Sequence, residues 1–186
     1  MIVLLGGPGA GKGTQARLLA PRLGIPHVSS GELLRQRGGA AEKHLSAGEL
    51  LPDDVVTDAV LQRLAQPDAA RGAILDGFPR TTRQAEALDD WLAQRGGSVS
   101  STVFLDVPRR TMIERVEERG QVSQRSDDRS DVADRRADVF NDWLPGLLEH
   151  YTRRGPVVTI DGSQPVDEVQ RQIIASLDHR QPPAHS

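Results

Sequence analysis

Apolar residues along this chain follow two rhythms that alternate from one end to the other. Short β-rich runs stand at 2–5 (IVLL), 25–29, 73–76, 102–107 and 157–160. Between them, at 14–23, 53–65, 82–94, 109–119, 132–151 and 166–177, apolar positions recur every three or four residues. A continuous apolar strand is buried on both faces, and a helix with one apolar stripe needs a sheet to cover. The pattern predicts an α/β fold, a five-stranded parallel sheet flanked by helices. Ligands of such sheets bind beyond the carboxyl ends of the strands. Three polar segments directly follow predicted strands and are expected to meet there: Gly6 to Gln15, Ser29-Ser30-Gly31, and Asp76-Gly77-Phe78-Pro79-Arg80. Trp91, Trp143 and Met112 sit in helical patterns and are expected in the core.

Two stretches fall outside this rhythm. Residues 31–52 hold one or two short helices, and 120–131 (GQVSQRSDDRSD) have almost nothing to bury. The last residues, 179–186, read as a frayed tail.

The first polar segment carries the strongest chemistry. Gly6-Gly7-Pro8-Gly9-Ala10-Gly11-Lys12-Gly13-Thr14-Gln15 lies between a strand and a helix. That order aims backbone N–H groups and a helix N-terminus at a phosphate chain. Lys12 adds a point charge for the outer phosphates. Gly13 follows the lysine, and the hydroxyl arrives one place late, at Thr14, a departure from the strict G-x-x-x-x-G-K-[ST] pattern. Gly11-x-Gly13-x-x-Ala16, with Glu32 further on, loosely fits a dinucleotide fingerprint. That fingerprint starts directly after its strand, whereas Gly11 comes six residues beyond Leu5, so the phosphate loop is preferred.

Composition narrows the classes. At 186 residues the chain reads as one domain with a small inserted lobe. It has no cysteine, which excludes disulfides, a thiol nucleophile and a cysteine zinc site. A formal charge of −3 and 3% aromatic residues argue against nucleic acid as a partner. No apolar run approaches a membrane span, and the chain enters a strand with no charged leader, so no membrane partner and a cytoplasmic protein are expected. No spare apolar helix face stands out, so a monomer is expected. The five histidines show no metal-ligand spacing. Of 23 basic residues only Lys12 and Lys43 are lysines, which makes the loop lysine stand out.

GGPGAGKGTQ, HVSSGELLR (27–35), LDGFPRTTRQA (75–85) and FLDVP (104–108) together resemble the nucleoside monophosphate kinases, the adenylate kinases above all. The likeness extends to about residue 178. It implies a core of 1–29, 53–119 and 132–178, an acceptor-nucleotide lobe at 30–52 and a short lid at 120–131. It also implies Mg²⁺ carried with ATP, AMP as the acceptor, and no zinc in so short a lid. Carried over residue by residue, Gly9, Ala10, Gly11, Lys12, Gly13 and Thr14 would hold the donor phosphates. Arg115 would lie against the donor base, and Gln164 and Pro165 would contact it through their backbone. Ser30, Gly31, Arg35, Leu50, Leu51, Gly77, Arg80 and Gln84 match the acceptor site. Arg119, Arg125 and Arg136 match lid arginines that converge on the transferred phosphoryl group, Arg125 and Arg136 reaching the acceptor as well.

The chemistry points the same way without the likeness. Bringing two phosphates together accumulates negative charge, and an acceptor that is already an anion needs no general base. Such a reaction asks for arginines on several elements, a metal and a closing flap. Arg35, Arg80, Arg119, Arg125 and Arg136 qualify, and Asp76 at a strand end could orient water around Mg²⁺. Each piece has a plainer alternative. Arg115 and Arg119 could be neutralised on their own helix by Glu114, Glu117 and Glu118, and Asp76-Gly77 could be an ordinary turn. Residues 35–48 are shorter than is usual in the family, and Ser30 and Glu32 stand where threonine and aspartate are commoner. These departures keep a UMP/CMP-type or broader acceptor preference open, and a non-catalytic nucleotide-binding relative remains the reading from another class.

Overall fold

All four residues of β1 (Ile2–Leu5) are buried, as a strand covered on both faces requires. In the computed structural model, which describes residues 1–38, 44, 51–123 and 130–178, this strand is the centre of one all-parallel sheet. The others are β2 (His27–Ser29), β3 (Ile74–Asp76), β4 (Ser101–Asp106) and β5 (Val157–Asp161), in the order β2-β3-β1-β4-β5. The α/β class and five strands expected from the sequence are those observed. Among the described residues seven helices flank the sheet: α1 (Lys12–Leu23), α2 (Ser30–Arg37), α3 (Asp53–Leu64), α4 (Thr82–Ala93), α5 (Arg109–Ser123), α6 (Ser130–Thr152) and α7 (Val166–Asp178).

Alternation along β1 divides the core in two. Val3 and Leu5 face a layer built by α3, α4 and α6, with Val60, Leu88, Phe140 and Leu147 among its members. Ile2 and Leu4 face the opposite layer, where Leu19 of α1, Met112 of α5 and Ile173 of α7 pack. Phe140 and Trp143 meet edge to face, their ring centroids 4.9 Å apart. Met112 is fully in the core, and Trp91 and Trp143 pack against it half-buried, as expected.

Register then places the chemistry. Leu4 pairs with Asp76, and Leu5 with Phe104, so the carboxyl ends of β3, β1 and β4 lie side by side. From β1 the chain crosses to β2, returns to β3 beside β1, and only then moves to β4 and β5 on the other side. The crevice at such a reversal of strand order is where ligands of open α/β sheets bind.

Several boundaries differ from the sequence expectation for local reasons. β2 begins at His27 because the Ile25 N–H turns back to the Ala20 carbonyl at the end of α1, and Pro26 has no N–H to offer. α1 starts two residues early, at Lys12, straight after the left-handed Gly11 (φ 92°). α5 runs to Ser123 and α6 starts at Ser130, so both helices extend into the segment expected as the lid. Among the described residues no helix is long and apolar enough to cross a membrane.

Leu88 is fully buried between α4 and the sheet. Leu88→Ala should cost ~2–5 kcal/mol in urea unfolding, with the denaturant slope unchanged.

Candidate functional site

The loop between β1 and α1 owes its shape to glycine. Gly9 has φ 77°, and a Cβ there would stand 2.3 Å from the Met112 carbonyl oxygen. A Cβ on Gly7 would fall 2.3 Å from the Met112 sulfur. α5 is therefore packed directly beneath the loop. Gly11 cannot cap α1 with a side chain, which leaves the first-turn N–H groups for an anion.

Lys12 folds back over this loop. Its Nζ donates to the carbonyls of Gly6 and Gly7, both at 2.8 Å. Burial pushes the ammonium down to about 8, Asp76 opposes that shift, and the charges of Arg80, Arg136 and Arg119 add to it. Four cations from four parts of the chain therefore share one field. Asp76 answers them. Burial alone would raise its carboxyl, but the hydrogen bond from His27 (Nε2–Oδ2 3.3 Å) and the charges of Lys12 and Arg80 outweigh it, and the group stays below the ordinary carboxylate range.

Around them lies a cleft of about 360 Å³. Its lining contains Gly9, Ala10, Gly11, Lys12, Gly13, Thr14, Gly31, Arg35, Asp76, Gly77, Arg80, Arg115, Arg119, Arg136 and Gln164, each singled out from the sequence. Seven cationic side chains border it, Arg17 included, against two carboxylates, Glu32 and Asp76. This concentration of positive charge sits in a chain whose net charge is −3.

The remaining sequence candidates stand differently. Leu50 and Arg125 lie outside the described residues. Leu51 is a core residue, and Ser30 is 1% exposed, with its hydroxyl donating to the Gly77 carbonyl at 2.6 Å. Gln84, expected to face the acceptor, is also 1% exposed and does not line the cleft. Its Oε1 accepts from the Arg80 N–H at 2.8 Å, and its Nε2 donates to Asp53 at 2.7 Å. Arg115, of the like-charged pair, donates to the carbonyls of Gly162 (2.8 Å) and Ser163 (3.2 Å), tying α5 to the β5–α7 loop. That loop is braced in turn by Asp161, which accepts from Ser163 and Gln164.

Sequence reasoning missed Asp53, Asp161 and Gln15. Gln15, 2% exposed, donates to the Val166 carbonyl at 2.9 Å and joins α1 to the start of α7. None of the three had a signal beyond its position beside a recognised motif.

Sheet order, glycine loop and cationic cleft define a P-loop nucleotide-binding protein. A family model described as adenylate kinase matches residues 4–156. The adenylate kinase of Nocardia farcinica is 43% identical over 183 residues, covering 95% of this chain and 98% of that protein. The adenylate kinase of Moorella thermoacetica is 40% identical over 202 residues, covering 90% and 93%. That of Stenotrophomonas maltophilia (strain K279a) is 38% identical over 183 residues, covering 95% and 98%. The chain belongs to the adenylate kinase family.

The depressed Lys12 value fixes a pH window. Burial and the nearby arginines bring the loss of the ammonium in the free protein down to about pH 8, so a polyanion held by that charge is expected to bind less tightly above it. Above that pH the affinity for a nucleoside triphosphate, whose phosphates are then fully ionised, should fall by up to ~10-fold per pH unit. Calorimetric titration between pH 7 and 10 measures the slope, and Lys12→Met should weaken binding and abolish its pH dependence.

Proposed function

We propose that this chain transfers the terminal phosphoryl group of MgATP to AMP, giving two ADP, by direct in-line displacement. The carrying observation is the cleft itself, with seven cations and two carboxylates at the switch point of the sheet. In the transfer, the bond from the γ-phosphorus to the bridging oxygen breaks as a bond to an AMP phosphate oxygen forms. The acceptor oxygen is already anionic, so no side chain has to remove a proton.

Loop residues Gly9 to Thr14 hold the donor phosphates with their N–H groups, and Lys12 exchanges its two loop carbonyls for phosphate oxygens. Arg115 keeps the β5–α7 loop with Gln164 and Pro165 in place against the donor base. Arg35 and Arg80 orient the acceptor phosphate, and Gly31, Leu50 and Gly77 shape the acceptor pocket, with Ser30, Leu51 and Gln84 buried behind it. Arg119, Arg125 and Arg136 meet the charge that develops on the transferred group. Residues 30–52 serve as the acceptor lobe and 120–131 as the lid that excludes water. A monomer acting on a cytoplasmic nucleotide pool completes the proposal.

Among the described residues no group of three or more His, Asp or Glu could hold a metal ion by protein ligands alone. A single charged carboxylate, Asp76, fits an ion that keeps most of its water and arrives with the triphosphate. Mg²⁺ held there would supply charge neutralisation to the phosphates. Asp76 would orient its water, and His27 holds that carboxylate in place.

An exposed ion pair contributes about 0–1 kcal/mol to stability, whereas a catalytic arginine contributes ~10³–10⁵ in rate, roughly 4–7 kcal/mol. Arg119→Ala and Arg125→Ala should therefore lower turnover at least ~100-fold while leaving the melting temperature nearly unchanged. Near-normal turnover in both variants refutes their role. A coupled assay of AMP, CMP, UMP and GMP with ATP and Mg²⁺ should show AMP preferred. A preference for UMP or CMP would move the chain to the pyrimidine branch, and no turnover at all would leave a binding protein.

A further inference from the structure

We infer that Asp53 is a positioning residue for the acceptor half of the reaction, acting through Thr81 and Gln84 on the loop that carries Arg80. The inference rests on the phosphotransfer reading above, but its hydrogen-bond logic is independent of it.

Asp53 opens α3, at the point where the chain returns from the acceptor lobe to the core. Its Oδ2 accepts from the Thr81 hydroxyl at 2.9 Å, and its Oδ1 from Gln84 Nε2 at 2.7 Å. The directions are forced. The Thr81 hydroxyl already accepts from the Gln84 N–H as the cap of α4, so its only proton goes to Asp53. Gln84 Oε1 faces the Arg80 N–H, a donor, so the amide nitrogen must face the carboxylate. A rotated amide would set an NH₂ group against an N–H. One carboxylate thus fixes the cap of α4, the rotamer of a buried amide and the backbone of Arg80. Arg80 donates Nε to the Gly77 carbonyl at 2.9 Å, which also receives the Ser30 hydroxyl. The chain of contacts thus runs from the hinge of the lobe to the arginine in the cleft.

Asp53 does not line the cleft, so its loss should act on placement and not on charge at the phosphates. Asp53→Asn keeps the shape but offers only one acceptor for two donors. It should raise KM for AMP at least ~10-fold and leave KM for ATP within about twofold, with Asp53→Ala more severe in the same direction. On a Gln84→Met background, Asp53→Asn should add much less than it does alone. Equal changes in both KM values, or full additivity in the double variant, overturn the inference. A readout independent of turnover is solvent exchange of the Gln84 side-chain amide protons by NMR. They should be protected in the wild type and lose protection in Asp53→Asn, and unchanged protection also overturns the inference. Wild-type protein that fails to turn over AMP would instead sink the substrate reading, leaving the amide measurement to decide the role of Asp53.

Discussion

The site in this structure depends on one electrostatic constraint, the gathering of cations around Asp76 in a small volume. Seven positive side chains border one cleft with only two carboxylates among them, and the lysine at its base is depressed to about 8 by burial and by its arginine neighbours. Burial and the neighbouring arginines thus disfavour the Lys12 charge in the free protein, while Asp76 supports it. In the proposed reaction a polyphosphate would offset both effects on binding. The parallel sheet supplies the rigidity, since its register sets Asp76 beside Leu4 and brings three strand ends together.

The fold shows why the arginines come from separate elements. One helix can present only a few like charges before they repel along its face. Distributing them over the segment after β3 and over α2, α5 and α6 lets each be tethered by its own element. Arg115 donates to two backbone carbonyls and Arg80 to that of Gly77, so neutral backbone groups help to hold both.

Much of this was legible in the sequence. Alternating strand and helix patterns gave the α/β class, and the loop motif located the crevice, because short-range rules govern both. Residues that follow strands were legible too, since topology alone carries Lys12, Asp76 and Arg80 to one edge. What stayed hidden depends on side-chain direction. Gln84 reads from the sequence as a residue facing a ligand, yet its amide is spent on Arg80 and Asp53. Asp53 had no signal of its own, because a carboxylate at the start of a helix is expected there for the dipole alone. The early start of α1 was equally invisible. A helix that begins at a left-handed glycine leaves no capping residue to recognise.

The contact between Met112 and the glycine loop has a consequence for how this site can vary. Bare backbone at Gly7 and Gly9 is required by the helix underneath as much as by any phosphate above. A larger residue at Gly9 would press on the Met112 backbone and so on the stem that bears Arg115 and Arg119, whereas one at Gly7 would displace the Met112 side chain. Loop and stem are thus obliged to diverge in concert, and a loop grafted from another scaffold would have to bring its floor along.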